Sequence, residues 1–299
     1  MAYDENKRYK SFGRRSGIML CYPFETKRLD KWEAPYYVQR KLDGARCRCI
    51  ITDSGDVHLV SSEGNEFIHV PHINEAVRKL GLRSIELDGE LYTHGLQFNE
   101  IMSIVSRKEN IHPNYEMIEY HVFDIVNDFP QEKRLAYVRD LNSSFADLGV
   151  QDALRGVESY AIDTFDELMR LFEDFITDGY EGFVIRNKNA PYERKRSTNI
   201  MKFKPHQEDV YEIVGYEQER TIHNELKESL GAFTCIGDDN TVFNVGTGPA
   251  LTRDERIELW KEKEGLIGQY LKVKYQQLTQ GRVPRFPVAL QVLDLKAHL

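Results

Sequence analysis

Short runs of β-branched and aromatic residues recur along almost the whole chain, and turn-forming residues separate them. Three of these strand-like runs are YYVQRKL at 36–42, SIELDGELY at 84–92 and IEYHVFDIV at 118–126. Helical periodicity is limited to a few stretches, such as 96–107, where one helix face would carry Phe98, Ile101, Met102 and Val105. Many short strands with few helices between them favour an α+β fold built on antiparallel sheets with flanking helices.

The last third of the chain carries five further strand-like runs with glycine-containing turns. One helix interrupts them at 252–263, where Thr252 and Glu255 form a capping box. Five strands and one helix fit a small β-barrel of the oligonucleotide-binding type, and a compact β-domain without a ligand would give the same pattern. We therefore predict two domains, at 1–205 and 206–299.

The charge balance of the chain is acidic. Its 299 residues include 40 Lys and Arg against 48 Asp and Glu, a formal net charge of -8. Both predicted domains are acidic, since 206–299 holds 11 basic and 15 acidic residues and 1–205 holds the other 29 and 33. This balance argues against a general nucleic-acid coat but does not exclude a local basic groove. A basic cluster near the start is either a solvated terminus or a phosphate contact, and it comprises Lys7, Arg8, Lys10, Arg14 and Arg15.

Several other classes of protein are excluded by composition. No stretch approaches 18 consecutive apolar residues, so no membrane span is predicted. The N-terminal segment is polar and lacks the apolar core of a secretion signal, so we expect an intracellular, cytoplasmic protein, in the host cytoplasm if it is phage-encoded. The cysteines show no zinc-ligand spacing and predict buried thiols in a reducing compartment; they are Cys21, Cys47, Cys49 and Cys235.

The segment KLDGAR at 41–46 is the sharpest local motif of the chain. On its own it is compatible with a β-hairpin that has Asp-Gly at its tip. Four further motifs follow it in order, namely Glu90 in LDGELY, Phe123 in VFDIV, Glu181 in EGFVIR, and Lys202 with Lys204 in MKFKP. The ordered set, from residue 41 to residue 285, resembles the covalent nucleotidyltransferases, which are ATP-dependent DNA ligases, RNA ligases and mRNA capping enzymes.

The C-terminal third resembles the barrel domain of small phage, viral and bacterial ATP-dependent DNA ligases, through its sequence at 245–260 and 271–293. The resemblance implies a nucleotidyltransferase domain at 1–205, an OB-fold barrel at 206–299, and ATP-dependent sealing of 5′-phosphate/3′-hydroxyl nicks. It implies nicked double-stranded DNA as the partner, a monomer, and neither a membrane nor a clamp partner. An RNA ligase of the same superfamily and a catalytically inert duplex-DNA-binding protein are the alternatives. A role in replication or in repair is left open.

The family resemblance implies catalytic roles for five residues of these motifs, four of them basic and one, Asp43, acidic. Lys41 attacks the α-phosphorus of ATP to give lysyl-AMP and pyrophosphate, and Asp43 orients the lysine or metal-bound waters. Lys202 and Lys204 are two residues apart on one strand and so share a face, from which both reach the triphosphate. A solvated strand face is the alternative for these two lysines. Arg285 in VPRFP brings positive charge to the pyrophosphate.

The carboxylates and the base-binding residues follow from the same resemblance. Glu90 and Glu181 suit Mg²⁺, with Mn²⁺ as a substitute, because such hard cations prefer oxygen ligands. Glu90 contacts either the ribose or the metal. Phe123 stacks on adenine, although a core aromatic in an apolar strand is the alternative. Gln39 lies two residues before Lys41 on the same strand face and contacts the adenine amino group.

Arginines and lysines complete the predicted contacts with phosphate groups. Arg46 and Arg186 match family arginines that approach the phosphates of the nucleotide. Arg46 and Arg196 are also predicted to bind DNA. Lys272 and Lys274 alternate along one strand of the barrel and are expected to face DNA phosphates.

One departure from the family pattern affects DNA binding. Ser62 stands where many DNA ligases carry an arginine that contacts the nick, and Arg48 on a neighbouring strand is a possible substitute. The stretch between Tyr216 and Gly231 is also short and leaves little room for a long DNA-clasping hairpin. We therefore expect DNA binding to be weaker and more sensitive to salt than in ligases that encircle DNA.

Overall fold

The structure is a computed structural model that divides into two compact units. Unit 1 comprises Met1–Asp163 and Val184–Lys202, and unit 2 comprises Thr164–Phe183 and Phe203–Leu299. The residues that it describes are 17–205, 207–221, 224–237, 239–248, 251–275, 278–279 and 281–293. The basic cluster predicted near the start of the chain lies outside these residues.

Unit 1 contains most of two five-stranded sheets, although β9 begins and β10 ends with residues of unit 2. In spatial order, the first sheet consists of β1 (Leu20–Pro23), β10 (Arg196–Phe203), β9 (Gly182–Asn187), β2 (Tyr36–Lys41) and β8 (Ser159–Ile162). The second consists of β4 (Val57–Ser61), β3 (Ala45–Ile51), β5 (Ile85–Tyr92), β6 (Glu119–Ile125) and β7 (Leu154–Gly156). Strands β3, β4, β5 and β6 pair antiparallel, as predicted, whereas β1–β10 and β6–β7 are parallel pairs.

The helices of unit 1 follow the sequence pattern closely. They are α1 (Thr26–Leu29), α2 (Pro71–Lys79), α3 (Phe98–Val105) and α4 (Gln131–Ser144), with a short 3-10 turn at Tyr115–Met117. Helix α2 begins with a proline in its first turn, where a missing backbone N–H costs nothing. The chain leaves this helix at Gly81, whose φ of 66° suits a residue without a Cβ.

Unit 2 contains a closed five-stranded barrel, which confirms the predicted barrel. Around the barrel the strands are β11 (Gln207–Arg220), β12 (Leu226–Ile236), β13 (Val242–Gly246), β15 (Val288–Leu293) and β14 (Tyr270–Tyr275). Helix α6 (Arg253–Lys261) begins with the predicted Thr252–Glu255 capping box and is followed by a 3-10 turn at Lys263–Leu266. Alternate residues of β14, Leu271 and Val273, are fully buried in the barrel core, as a period of two requires.

Helix α5 (Phe165–Thr177) lies in unit 2, although the prediction assigned it to the first domain. Its residue Phe172 packs edge-on against Phe203, with ring centroids 5.0 Å apart, and it also contacts Phe286. This aromatic packing connects α5 with Phe203 and the segment before β15 within one compact unit. The boundary at residue 205 stays a prediction.

Three of the four cysteines, Cys47, Cys49 and Cys235, are buried free thiols, and Cys21 is half-buried. Burial raises the pKa of Cys235 to about 12, which keeps this thiol protonated and unreactive. Among the residues that the structure describes, no helix is both long and apolar enough to cross a membrane.

Candidate active site

The KLDGAR segment connects the two sheets of unit 1. Lys41 is the last residue of β2 in the first sheet, and Ala45 is the first residue of β3 in the second sheet. The hairpin interpretation of this motif is therefore wrong, because β2 and β3 do not pair. Asp43 lies exposed in the three-residue connection between them. Lys41 thus stands at the point where the chain leaves one sheet for the other.

The glycine of this segment sets the position of Glu90. A Cβ at Gly44 would lie 2.8 Å from Glu90 Cγ and 2.4 Å from the carbonyl oxygen of Leu91, closer than real Cβ atoms approach. The connection therefore passes directly against β5. Glu90 is also the register partner of Arg46 across β3 and β5, so the two side chains share a face of the sheet.

Arg46 is anchored by the buried carboxylate of Asp88, for which no role was predicted. Its Nε and Nη2 donate to the two oxygens of Asp88 at 3.0 Å and 2.5 Å, and Nη2 also donates to the Met19 carbonyl at 3.0 Å. Asp88 is 0% exposed and accepts a further hydrogen bond from Tyr192 Oη at 2.5 Å. A bidentate pair of this kind fixes the plane of the guanidinium. The predicted contacts of Arg46 with phosphates and DNA stay predictions.

Phe123 lies at an irregularity in the second sheet. Asp88 pairs with Asp124 and Gly89 pairs with Val122, so Phe123 is the extra residue of a β-bulge in β6. It is half-buried, while Val122 and Asp124 on either side of it are buried, so it is not a core aromatic. The guanidinium carbons of Arg46 and Arg186 lie 5.1 Å and 5.4 Å from its ring centroid.

Gln39 and Arg186 are buried behind this ring. Gln39 is 1% exposed and donates from Nε2 to the Phe123 carbonyl at 3.0 Å and to Ser159 Oγ at 2.9 Å. Arg186 is 3% exposed and donates from Nε to Gln39 Oε1 at 2.7 Å and from Nη1 to Asp124 Oδ2 at 2.8 Å. The predicted contacts of Gln39 with adenine and of Arg186 with phosphate stay predictions.

The motifs at 181 and 202–204 are divided between the units. Lys202 is an exposed residue of β10 in unit 1, whereas Glu181 and Lys204 lie in unit 2 and form an ion pair with each other. A Cβ at Gly182 would meet the Phe203 carbonyl oxygen at 2.1 Å, so these two segments approach as closely as backbone allows. This close approach places Glu181 beside Lys204.

A metal centre made by the protein alone is absent from the described residues. They contain no group of three or more His, Cys, Asp or Glu side chains placed to hold an ion. Mg²⁺ at phosphoryl-transfer sites needs only one or two carboxylates, since substrate phosphates and waters complete its coordination. Glu90 in unit 1 and Glu181 in unit 2 each carry oxygen donors of this kind, so the chemistry of each carboxylate suits the predicted ion, and their role as its ligands stays a prediction.

The residues predicted to bind DNA lie at exposed or half-exposed positions. Arg196 begins β10, donates to the Cys21 carbonyl, and lies 5.6 Å from the Tyr22 ring centroid. In unit 2, Lys272 and Lys274 alternate with buried residues of β14. Lys272 is paired with Glu208 at 2.8 Å.

The segment around Arg285 is conformationally unusual. Arg285 lies 5.4 Å from the ring centroid of Phe286, which has a φ of 55° although it is not a glycine. Phe286 is buried against Phe203, with ring centroids 4.4 Å apart. Packing therefore holds a strained backbone beside a predicted catalytic arginine, as is common at functional sites.

The predicted substitute for the missing nick-contacting arginine is not at the surface. Arg48 is 3% exposed and donates to Glu86 at 2.9 Å. The stretch between Tyr216 and Gly231 forms the outer part of the β11–β12 hairpin.

A buried polar network in unit 1 was not predicted. Asp124 is 0% exposed and accepts from Arg134 Nε at 2.8 Å, and Gln131 accepts from both Arg134 and Arg186. An aspartate inside the apolar run VFDIV was the available signal, since a buried carboxylate needs a partner. No pattern in the sequence pointed to Arg134 as that partner.

A cavity of about 800 Å³ lies elsewhere in unit 1, and its lining includes Tyr37, Glu132, Arg139, Arg155 and Ser159. None of the predicted site residues lines it. One of its lining residues, Ser159, accepts a hydrogen bond from Gln39.

Comparisons with protein families match both parts of the chain. A model described as the ATP dependent DNA ligase domain matches residues 18–204, and a DNA ligase OB-like domain model matches residues 224–292. The first model alone covers more than half of the chain.

Comparisons with individual proteins agree with the family models. A DNA ligase of African swine fever virus is 27% identical over an alignment of 283 residues, and the match covers 86% of this chain and 65% of the viral protein. The chain thus spans about two thirds of the length of these viral relatives. A DNA ligase of Haemophilus influenzae is 25% identical over 276 residues, and the match covers 91% of this chain and 90% of that protein. The solved ATP-dependent DNA ligase of bacteriophage T7 in complex with ATP shares the fold, with a TM-score of 0.67, 17% identity, and coverage of 96% of this chain and 100% of that chain.

Proposed function

The chain belongs to the ATP-dependent DNA ligase family, and we propose on this premise that it seals 5′-phosphate/3′-hydroxyl nicks in duplex DNA at the expense of ATP. The observation that carries this proposal is the position of Lys41 between the two sheets. The glycine of the same motif packs against Glu90, and the Arg46 guanidinium lies over Phe123. These residues have the chemistry needed to hold a nucleotide and attack it.

In the first step, the Lys41 amine attacks the α-phosphorus of ATP. A phosphorus–nitrogen bond forms, the bond to the β-phosphate oxygen breaks, and pyrophosphate leaves. An amine nucleophile attacks only after losing a proton. The cationic side chains that the family resemblance assigns to this step are Lys202, Lys204 and Arg285, which neutralise charge on the phosphates. Asp43 in the inter-sheet connection orients the amine or the waters around it.

Glu90 and Glu181 would hold Mg²⁺ or Mn²⁺, which polarises phosphoryl oxygens and offsets their charge when bound. Glu181 forms an ion pair with Lys204, so its carboxylate already has a cationic partner on the protein. Phe123 offers a half-exposed ring for the base.

In the later steps, AMP passes from Lys41 to the 5′-phosphate of the nick, and the 3′-hydroxyl then displaces it. Arg46, Arg196, Lys272 and Lys274 are the residues proposed to contact DNA. We infer that the protein acts as a monomer without a clamp. We propose a cytoplasmic location, which is compatible with the proposed substrates because ATP and nicked DNA occur inside cells.

Incubation with α-labelled ATP and Mg²⁺ tests the first step directly. Wild-type protein is expected to take up covalent label, and Lys41→Ala is expected to take up none because it lacks the nucleophile. Lys79→Ala, which changes an exposed lysine at the end of α2, is the matched control and should label normally. Label retained by Lys41→Ala would contradict the assignment of the nucleophile.

A sealing assay on a nicked duplex tests the substrate. We expect joining with ATP and none with NAD, and faster joining of nicked DNA than of nicked RNA. A preference for nicked RNA would favour the RNA ligase alternative. Binding to duplex DNA without pyrophosphate release would favour the inert alternative.

A further inference from the structure

The Phe123 ring and its backbone are held by buried side chains. The Phe123 carbonyl belongs to a bulge residue without a register partner in β5, and it accepts a hydrogen bond from Gln39 Nε2 at 3.0 Å. Gln39 Oε1 in turn accepts from Arg186 Nε at 2.7 Å. The Arg186 guanidinium also lies 5.4 Å from the Phe123 ring centroid. Arg186 therefore acts on Phe123 twice, once on its ring and once through Gln39.

The atom types fix the orientation of the Gln39 amide. A carbonyl oxygen can only accept a hydrogen bond and an arginine Nε can only donate one, so exchanging the amide oxygen and nitrogen would break both contacts. The second N–H of Gln39 donates to Ser159 Oγ at 2.9 Å. Both amide hydrogens are thus used inside the protein, and the 1% exposed side chain is committed to supporting the bulge.

Arg186 is held just as firmly. Its Nη1 donates to Asp124 Oδ2 at 2.8 Å and to Gln131 Oε1 at 3.3 Å. Asp124 is fully buried, directly follows Phe123 in the chain, and also accepts from Arg134 Nε. Arg186 is only 3% exposed, and its Nε and Nη1 would have to leave these partners to contact a phosphate.

We propose that Arg186 is a positioning residue that sets the Phe123 ring, directly and through Gln39, as the platform for the base of ATP. This inference rests on the proposed function and differs from the phosphate contact that the family resemblance suggests for Arg186. It makes the contribution of Arg186 depend on the base of the nucleotide and on the presence of the Phe123 ring.

Equilibrium binding in a Lys41→Ala background separates the two roles, because this background binds ATP without reacting. Inorganic triphosphate serves as a probe that lacks the base. Arg186→Met is expected to weaken ATP binding about three- to tenfold, the size of one aromatic stacking contact, and to leave triphosphate binding unchanged. A parallel loss of ATP and triphosphate affinity would overturn the proposal.

A double-mutant cycle with Phe123→Leu gives a second, independent measurement. If Arg186 acts through the ring, the double variant binds ATP no more weakly than Phe123→Leu alone. Fully additive losses would show that Arg186 acts elsewhere and would overturn the proposal. Arg48→Met is the matched control, since Arg48 is equally buried in unit 1 and pairs with Glu86. An equal loss of ATP affinity in Arg48→Met would show that the loss in Arg186→Met comes from a general loss of folding stability, and it would overturn the proposal.

Ser159→Ala keeps the test decisive if Arg186→Met does not fold. It removes one hydrogen bond to Gln39 from the edge strand β8 and should give a smaller loss of ATP affinity that vanishes in the Phe123→Leu background. An ATP affinity equal to that of the background protein, or a loss that persists with Phe123→Leu, would overturn the proposal. Failures of the two proposals are distinguishable. If the wild-type protein, which retains Lys41, binds ATP but takes up no covalent label, the proposed function is contradicted. If it is labelled normally but the losses of ATP affinity in Arg186→Met and Phe123→Leu are additive, only the proposed role of Arg186 is contradicted.

Discussion

Two glycines of the active-site motifs are required by close contacts rather than by turn conformations. A Cβ at Gly44 would meet the Leu91 carbonyl oxygen at 2.4 Å, and a Cβ at Gly89 would meet Tyr120 Cε2 at 2.6 Å. Tyr120 uses the space over Gly89 to donate to the carbonyl of Leu87 at 3.2 Å. Both glycines therefore allow β5 to pack closely against its neighbours.

Replacing Gly44 tests this packing at a single residue. In Gly44→Ala the new methyl group must displace either β5 or the connection after Lys41, because the nearest atom is a backbone oxygen. We expect lysyl-AMP formation to fall roughly 10- to 100-fold, as for a nucleophile displaced by about 1 Å. The rate of labelling by α-labelled ATP measures this loss. Gly265→Ala, where a Cβ meets nothing within 4 Å, is the control, and equal labelling rates in the two variants would contradict the prediction.

Residues with a chemical signature could be singled out from the sequence, whereas the buried partners that the structure shows around them could not. The K-x-D-G-x-R string pointed to Lys41, and the order of the motifs pointed to Glu90 and Phe123. The supports of these residues come from distant parts of the chain, as in the hydrogen bond between Arg134 and Asp124. Such pairs depend on tertiary contacts that a local pattern does not encode.

At the scale of secondary-structure elements, strand and helix positions followed from hydrophobic periodicity, whereas connections between sheets did not. The runs at 36–42 and 84–92 became β2 and β5 within one residue of their predicted bounds. The connection after Lys41 was different, because a short Asp-Gly turn is compatible both with a hairpin and with a passage between sheets. The strand order distinguishes these possibilities, because β3 pairs with β4 and β5 and lies in a different sheet from β2.

Helix α5 carries an acidic group in an unfavourable environment. A Cβ at Gly246 in β13 would lie 2.6 Å from Glu173 Oε1, so this carboxylate lies directly over the strand. Burial, followed by repulsion from Asp174 and from the β11 carboxylates Glu217 and Glu219, raises the pKa of Glu173 to about 7, and attraction by Arg256 only partly opposes this. These groups line a cavity of about 680 Å³ in unit 2.

The raised pKa of Glu173 predicts a pH dependence of stability. The folded protein retains this proton up to about pH 7, whereas the unfolded chain loses it near the usual value of 4.5, so the folded state binds more protons in between. The contribution to stability is therefore complete below about pH 4.5 and is lost as the pH rises through 7. Glu173→Gln should raise the free energy of unfolding by roughly 2 kcal/mol at about pH 8 and change it little at about pH 5.

Thermal unfolding of the full chain at both pH values checks this prediction for Glu173. The control is Glu225→Gln, which removes a charge from an exposed position in the β11–β12 hairpin and should shift the melting temperature equally at the two pH values. A pH-independent shift in Glu173→Gln would show that Glu173 is ionised in the folded protein throughout this range.

At the scale of the whole molecule, the net charge of -8 does not reveal a partner that is itself a polyanion. Binding to DNA depends on how many cations are available to replace counterions at phosphates, and not on the total charge. One basic side chain that is proposed to contact DNA has an acidic neighbour on the protein itself. Lys272 pairs with Glu208, and this pair lowers the pKa of the Glu208 carboxyl.

Removing the partner of Lys272 should therefore strengthen binding to nicked DNA. In Glu208→Gln the Lys272 ammonium group no longer has to leave a carboxylate before it contacts a DNA phosphate. We therefore expect about two- to fivefold tighter binding at low salt and a steeper fall of DNA affinity as the salt concentration rises. Lys272→Ala should do the reverse, with weaker binding and a shallower slope. Glu258→Gln on α6 is the matched control, because it also frees a lysine, Lys261, from an exposed pair of 2.7 Å. Titrations at several salt concentrations separate a local contact from a general charge effect, since equal tightening by Glu208→Gln and Glu258→Gln would mean that β14 does not touch the DNA backbone.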